Sequence, residues 1–331
     1  MILDDLCKSI TNSQWRIREA CCGAISDILR GRRWPHLKKH IVLLWEMLFR
    51  ALDDVKESVR LAAFSACKRL GKTTITLCSA EDGDNSKEAV AAALPCLINT
   101  GLLSQVDEVR NFSMGVMIEL SKEAGPALRP HITSFMMVLL EALSGMENQA
   151  LNYVATRIDN SDRMQDTLEN ARISASKSGP ISECINRLLD FADATVLPEI
   201  TPPLCDLLRR GLGSATKSGC AHVAGRLAAK FRQELDEHAK PLLKALLHGA
   251  VQKSAPVRRD FANAIGQVVR AAPAADVDMV IRRCHKMYLE RSSDEAIETS
   301  AAICRGIAVQ APDVLTTVAA QVFPIAYVIQ L

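Results

Sequence analysis

The chain has 331 residues, of which 48% are hydrophobic and only 4% are aromatic. An interior so poor in aromatic residues must be filled by Ala, Leu, Ile, Val, Cys and Met, which favours close-packed helices over β-sandwiches or barrels. The 40 basic and 38 acidic residues give a net charge of +2, so neither nucleic acid nor an acidic membrane is indicated as a partner. No apolar run reaches the roughly 18 residues of a membrane span, and we expect no direct membrane insertion.

An amphipathic helical segment recurs along the chain. Six copies align on a pair of neighbouring residues: Ile17-Arg18, Val59-Arg60, Val109-Arg110, Thr216-Lys217, Val257-Arg258 and Ile297-Glu298. Successive pairs are 42, 50, 107, 41 and 40 residues apart, and the gap of 107 has room for two units, one of them degenerate or enlarged. From the first residue of each pair, small or apolar residues recur at offsets of 0, 4, 7 and 11, which places them on one face of an α-helix.

A second apolar segment accompanies most of these copies. IVLLWEMLFRAL (41–52) precedes the second copy, and LPEITPPLCDLLRRGL (197–212) precedes the fourth. A helix, a turn and a second helix every ~40–47 residues is the pattern of HEAT and armadillo repeats. The sequence therefore predicts an all-α fold, an α-α superhelix of the HEAT/ARM solenoid type with about seven helical hairpins.

We expect a single solenoid over residues 1–331. Regular repeats occupy 1–150 and 196–331, and a degenerate repeat with an insertion occupies 151–195. The polar segment SAEDGDNSKEA (79–89) is expected to be a mobile loop. Residues 159–180 are expected to be the insertion, with an exposed helix in their first part, and insertions in solenoids are often binding elements. Neither end carries the polar cap typical of a complete solenoid, so we expect a fragment of a much longer chain.

The turn GLGSATKSG (211–219) is close to a phosphate-binding loop, G-x-x-x-x-G-K-[ST], although Thr216 stands where that pattern has glycine. A phosphate-binding loop follows a strand, whereas here LCDLLRR predicts a helix before the turn and the repeat pattern predicts another after it. We therefore interpret the glycines as the end of one helix and the turn to the next.

The basic column of the repeat allows two interpretations. Its members are Arg18, Arg60, Arg110, Lys217 and Arg258. One cation per repeat could line a groove for an acidic partner. We favour a structural ladder, in which each cation pairs with an acidic residue of the preceding turn or the adjacent repeat, such as Asp54 or Asp107.

Other candidate sites are weaker. His36 and His40 share a helix face at i, i+4, but no neighbouring Cys, Asp or Glu completes a metal site. The eleven cysteines are mostly in apolar helical context and are expected to be buried thiols. With no strand–turn–helix nucleophile pattern, we expect no catalytic residue, no metal and no cofactor, and hence not an enzyme.

Several strings give the chain a family resemblance. They are TNSQWRIREACCGAISDILRGR (11–32), LFRALDDVKESVRLAA (48–63), LNYVATR (151–157), ARISASKSGPISE (171–183) and LPEITPPLCDLLRRGLGSATKSGCAHV (197–223). Together they resemble the C-terminal part of the large HEAT-repeat proteasome adaptor and scaffold protein family, and the resemblance runs essentially end to end.

This resemblance implies a non-enzymatic adaptor that binds the proteasome and tethers its regulatory particle to its core. It also implies roles in assembly and quality control, and in localisation through trafficking or membrane-associated proteins. The compartments implied are the cytoplasm and nucleus, with peripheral recruitment to endoplasmic reticulum or endosomes. The alternative is a HEAT-repeat transport receptor or regulatory scaffold for another complex.

Overall fold

The computed structural model describes residues 2–79, 83–145, 162–211, 213–290 and 293–328, and within these ranges the regular structure is entirely helical. The all-α fold is therefore confirmed. The residues group into two compact units, Met1–His131 and Ile132–Leu331. The single solenoid over 1–331, with its subdivisions, stays a prediction. The string LNYVATR (151–157) lies outside the described residues.

The first unit contains seven α-helices within its described residues. They are α1 (Ile2–Ser9), α2 (Trp15–Ile28), α3 (Trp34–Leu37), α4 (Ile41–Leu52), α5 (Glu57–Leu77), α6 (Asp84–Cys96) and α7 (Asp107–Glu123). Helix α6 continues as a π-helical turn (Leu97–Leu102), and a 3₁₀ segment (Gly125–His131) follows α7. Helices α2, α5 and α7 pack side by side, and α4 packs on α6 in a second layer. Each hairpin thus contributes one helix to each layer.

The second unit repeats this arrangement. Its described helices are α8 (Ile132–Gly145), α9 (Asp162–Lys177), α10 (Pro180–Phe191), α11 (Leu197–Arg210), α12 (Ser214–Lys230), α13 (Asp236–Gly249), α14 (Ala255–Val269), α15 (Ala274–Glu290), α16 (Asp294–Gln310) and α17 (Pro312–Val328). Helices α11, α13 and α15 form one layer, and α12, α14 and α16 form the other. None of the described helices is both long and apolar enough to cross a membrane.

The predicted apolar stripe is buried in four of the six aligned helices, α5, α7, α12 and α14. In α5, for example, Val59, Ala63, Ala66 and Leu70 are completely buried. The small side chains allow these helices to approach closely, and burial of the stripe supplies the hydrophobic stabilisation of each layer.

In α2 and α16 the predicted stripe is wrong by one residue. Ile17 is 36% exposed, whereas Cys22 and Ile25 are completely buried, so the core-facing residues of α2 lie one position later. In α16 they lie one position earlier, at residues such as Ala296 and Ile303. Among the described residues, each of these two helices has a same-layer neighbour on one side only. The buried face of each is therefore shifted relative to that of the inner helices.

The expected mobile loop at 79–89 is wrong for residues 84–89, which form the start of α6. Gly83 precedes the helix with φ +60°, a conformation that glycine adopts without strain. Ser86 is buried, and its hydroxyl donates to the carbonyl of Cys78 at 2.7 Å. Ala89 and Val90 are also buried, so α6 packs in the core although its first residues are polar. Residues 80–82 lie outside the described residues.

Of the expected insertion at 159–180, the structure describes residues from Asp162 onward. They form α9, which ends at Lys177 and so extends through the Ser-rich part of the segment. Ile173 is buried, whereas Asn170 and Ser174 are exposed, so α9 has one packed and one exposed face. Whether these residues bind a partner stays a prediction.

Candidate interaction surface

The basic column lies in the first turn of the second helix of each hairpin, and its side chains reach back to the preceding turn. The guanidinium of Arg18 donates from Nη1 to the carbonyl oxygens of Asn12 at 2.8 Å and Ser13 at 3.1 Å. The same two bonds, to carbonyls six and five residues earlier, are made at two further positions: Arg60 and Arg258. Carbonyls beyond a helix end lack intrahelical donors, and the arginine supplies one.

Two arginines of the column also connect neighbouring hairpins through ion pairs. Arg18 binds the carboxylate of Asp54 with two hydrogen bonds, Nε to Oδ2 at 2.6 Å and Nη2 to Oδ1 at 2.8 Å. Arg258 is ion-paired with Glu298 of α16. The hydrogen bond from Arg18 holds the pKa of the Asp54 carboxyl below its ordinary value. Bidentate pairs of this kind fix geometry as well as adding stability.

Of the other two members, Arg110 is engaged within its own hairpin, whereas Lys217 reaches the next one. Arg110 donates to the carbonyl of Ser104 at 2.7 Å and pairs with Asp107 of its own helix. Lys217 donates from Nζ to the side-chain oxygen of Gln252 at 3.0 Å, in the turn of the next hairpin. All five predicted residues therefore have partners within their own unit. Contact of any of them with another protein stays a prediction.

The segment GLGSATKSG begins directly after α11 and continues into α12, which starts at Ser214, so a helix and not a strand precedes it. Gly213 has φ +84°, which a turn of this sharpness requires. The backbone N–H of Thr216 donates to the hydroxyl of Ser144 at 3.1 Å, and the Thr216 hydroxyl donates to the carbonyl of Leu140 at 2.9 Å. The polar groups at the start of α12 are thus bonded to α8, and the turn lacks the strand context of a phosphate-binding loop.

A polar cluster on α9, α10, α12 and α14 was not predicted from the sequence. Asp260 accepts hydrogen bonds from the Nζ of Lys177, at 2.7 Å, and from the hydroxyl of Ser218. His222 Nε2 lies 2.9 Å from Oδ1 of Asn186. These side chains line a cavity of about 300 Å³. Lys177 therefore joins the end of the expected insertion to the layer of α12, α14 and α16, the second layer of this unit.

The geometry of the cluster does not form a nucleophile–base pair. The Ser218 hydroxyl is bonded to the Asp260 carboxylate, and His222 is bonded to Asn186 instead of to Ser218. Desolvation by neighbouring atoms, with the positive charges of Arg226 and Lys177, lowers the pKa of His222. A serine hydrolase requires the imidazole to accept the serine proton, and this arrangement provides no such contact.

The thiols are buried. All eleven cysteines are free and buried, and burial raises the pKa of Cys22 to about 12 and of Cys205 to about 11. Protonated, shielded thiols are poor nucleophiles and poor metal ligands. His40 lies 3.1 Å from Asp4, and the described part of the chain holds no group of three or more His, Cys, Asp or Glu side chains suited to a metal.

Comparison with known proteins gives the family. The human proteasome adapter and scaffold protein ECM29 is 37% identical over 326 residues, which is 98% of this chain and 18% of the human protein. The Drosophila melanogaster proteasome-associated protein ECM29 homolog is 27% identical over 317 residues, covering 89% of this chain and 17% of that protein. The model of the ECM29 HEAT-repeat domain matches residues 128–289. The chain belongs to the ECM29 family.

The chain spans about a fifth of the length of its ECM29 relatives. The family-model match includes the polar cluster around Asp260 and the turn GLGSATKSG, both in the second unit. Among solved structures, importin beta covers 97% of this chain and 45% of its own, at 14% identity and a TM-score of 0.37. That score is too low to support any inference about function.

The sequence contained a weak signal for the polar cluster. Ser218 and Asp260 are 42 residues apart, and each follows a basic residue of the aligned column by one or two positions. Polar residues at nearly equivalent positions of adjacent repeats can be expected to meet when the repeats stack. Nothing in the repeat pattern, however, indicated that Lys177 of the expected insertion would reach the same carboxylate.

Proposed function

We propose that this chain is part of a non-enzymatic adaptor that binds the proteasome and tethers its regulatory particle to its core. The observation that carries the proposal is the 37% identity to the human proteasome adapter and scaffold protein along nearly the whole chain. The same proposal includes support for proteasome assembly, quality control and localisation. The direct partners would be subunits of the regulatory particle and of the core.

The architecture suits such a role. Each hairpin exposes one side of both helices, so a row of hairpins offers many modest contacts along an extended surface. Simultaneous engagement of two subcomplexes raises the effective concentration of one for the other without any single strong contact. The side chains of the basic column already have partners inside the chain. We therefore expect other exposed groups, such as those on the outer face of α9, to contact the proteasome.

A scaffold without chemistry of its own is also consistent with the polar cluster, where Ser218 and His222 have separate partners. We further propose that the chain acts in the cytoplasm and nucleus. Recruitment to endoplasmic reticulum or endosomes would then occur through trafficking or membrane-associated proteins. Fractionation of cells that express the tagged chain, with and without its partners, tests this part.

A pull-down tests proteasome binding. The 331-residue chain is immobilised and offered purified intact proteasome, isolated core and isolated regulatory particle at physiological salt. We expect one or more of these to be retained, and retention to fall when Ala171 and Ala175 on the exposed face of α9 are both replaced by Arg.

The control for the pull-down carries the same added charge elsewhere. Ala20→Arg combined with Ala91→Arg changes two exposed helical alanines outside α9 and should leave retention unchanged. Failure of the folded parent chain to retain any of the three particles would overturn the proposal for this part of the protein.

A further inference from the structure

Helices α5 and α7 of the first unit leave an open groove between them, of about 890 Å³. Its lining runs along one face of α5 from Phe64 to Ser79, just past the end of the helix, and along one face of α7 from Glu108 to Glu123. About fifteen residue steps of helix on each side correspond to a length of about 22 Å. The groove is therefore as long as about four turns of a docked helix.

The floor of the groove is apolar. Phe64 is 40% exposed, and its ring meets Phe112 edge to face, with centroids 6.0 Å apart. Phe112 in turn lies 6.2 Å from the completely buried Trp45, which connects the floor to the core. Val116 lies deeper in the same floor and is almost fully buried. A rigid aromatic pair backed by the core is a good anchor site for a partner side chain.

Two glycines make the groove deep and leave it open. A Cβ on Gly71 would lie 3.1 Å from Cγ2 of Val116, so α5 and α7 are in close contact there. A Cβ on Gly115 would meet no atom within 4 Å, because the space above it is the groove itself. A larger side chain at position 115 would therefore enter the groove and not the protein core.

The two walls carry opposite charge. Lys68 and Lys72 stand on the α5 side, and Lys68 lies 4.4 Å from the centre of the Phe64 ring. Acidic side chains stand on the α7 side at three positions: Glu108, Glu119 and Glu123. Glu119 pairs with Lys122 of the same helix, at 2.6 Å, but both groups are well exposed. A groove with one basic and one acidic wall selects for a ligand that carries both charges.

We propose that this groove binds an amphipathic helix of a partner protein, with an apolar stripe flanked by acidic residues on one side and basic residues on the other. An apolar floor between charged walls is the form of a helix-in-groove site. Binding of an extended peptide by strand addition needs the edge of a sheet, and the described residues contain no strand. Because turning a helix end for end exchanges its flanks, the two walls also set the direction in which the helix lies.

The groove is a property of α5 and α7 and does not depend on the proteasome being the partner. Three stapled helical peptides of four to five turns serve as probes, each with the same leucine stripe. One has an acidic and a basic flank, one has two acidic flanks, and one has two basic flanks. Fluorescence anisotropy with the 331-residue chain at low salt should give about tenfold tighter binding of the mixed peptide, with the difference reduced at high salt.

Filling the groove should weaken binding strongly. Gly115→Leu places a side chain in the open space and should weaken binding of the mixed peptide by about tenfold or more. Gly23→Leu is the matched control, because Gly23 is an exposed helical glycine of α2 whose added Cβ also meets nothing within 4 Å. Both variants should melt no lower than the parent, since each replaces a helical glycine by a better helix former.

Reversing one wall should change the preference. In the double variant Lys68→Glu/Lys72→Glu both walls are acidic, so the peptide with two basic flanks should become the tightest ligand. Equal binding of the three peptides by the parent, or undiminished binding by Gly115→Leu, would overturn the proposal. Self-association of the parent that Gly115→Leu removes, without peptide binding, would also overturn it, because the occupant would then be a second copy.

Discussion

The guanidinium of Arg18 and the carboxylate of Asp54 join two successive hairpins through two parallel hydrogen bonds of 2.6 and 2.8 Å. Their side chains are 15% and 9% exposed, so the pair is largely shielded from solvent. Asp54 also accepts from the backbone N–H of Lys56 at 2.9 Å, which fixes the start of α5. One carboxylate thus sets both the turn of its own hairpin and the contact with the preceding one.

Asp54→Asn should lower the free energy of unfolding at neutral pH, because the amide cannot accept both arginine bonds. The hydrogen bond from Arg18 lowers the folded-state pKa of Asp54, so the unfolded chain binds its proton first as the pH falls. The extra unfolding free energy of the parent over Asp54→Asn is therefore complete above pH about 5 and is lost as the pH falls through the lowered pKa. Urea titrations of parent and variant from pH about 7 to pH about 3 measure this difference.

The control for this prediction is Asp27→Asn. Asp27 pairs with Arg30 on the surface of α2, with side chains 72% and 66% exposed. Exposed pairs of this type contribute little to stability. The loss of unfolding free energy caused by Asp54→Asn should exceed the loss caused by Asp27→Asn and should change with pH. If either expectation fails, a structural role for the Arg18–Asp54 pair is contradicted.

Ala66→Arg should destabilise the first unit by ~3–5 kcal/mol or prevent its folding. Ala66 is completely buried in the stripe of α5, where the added guanidinium would have no partner. Ser65→Arg, the exposed neighbouring residue in the same helix, should change stability by no more than about 0.5 kcal/mol. Thermal melts followed by circular dichroism compare the two, and equal melting temperatures would contradict the repeat alignment.

Lys177→Ala should loosen α9 with little change in overall stability. The Nζ of Lys177 is held by Asp260 of α14, and this contact joins the end of α9 to the second layer of its unit. Hydrogen exchange of the α9 amides should quicken by up to about tenfold, because local opening needs less free energy than global unfolding. Lys87→Ala removes an exposed pair with Asp84 in α6 and should leave α9 exchange unchanged.

The sequence predicted the elements that depend on local periodicity. The stripe through Val59, Ala63 and Ala66 is buried as expected, because a helix between two same-layer neighbours must hide that face. The turn at Gly213 is likewise where the glycines and the helical context predicted it. Both depend on residues close together in the chain.

Features that depend on tertiary contacts could not be predicted in this way. The start of helix α6, residues 84–89, was expected to belong to a loop because the segment is polar, yet the Ser86 hydroxyl is satisfied by the carbonyl of Cys78. The one-residue shift in α2 arises from the number of neighbouring helices, which no local pattern encodes. The open groove above Gly115 could not be predicted from the sequence either. A glycine in a helix can mark a close helix contact, an exposed surface or a helix end, and the sequence does not distinguish these cases.

The same substitution, glycine to alanine, should have opposite effects at Gly306 and Gly115. A Cβ on Gly306 would overlap the carbonyl oxygen of Ala262, where α16 crosses α14, so Gly306→Ala must push two helices apart and should cost ~1–3 kcal/mol. Gly115→Ala meets no atom within 4 Å and should stabilise by ~0.5–1 kcal/mol, the ordinary gain in helix propensity. Urea unfolding of both variants gives the sign directly. Stabilisation by Gly306→Ala would mean that the α14–α16 crossing is looser than the structure shows.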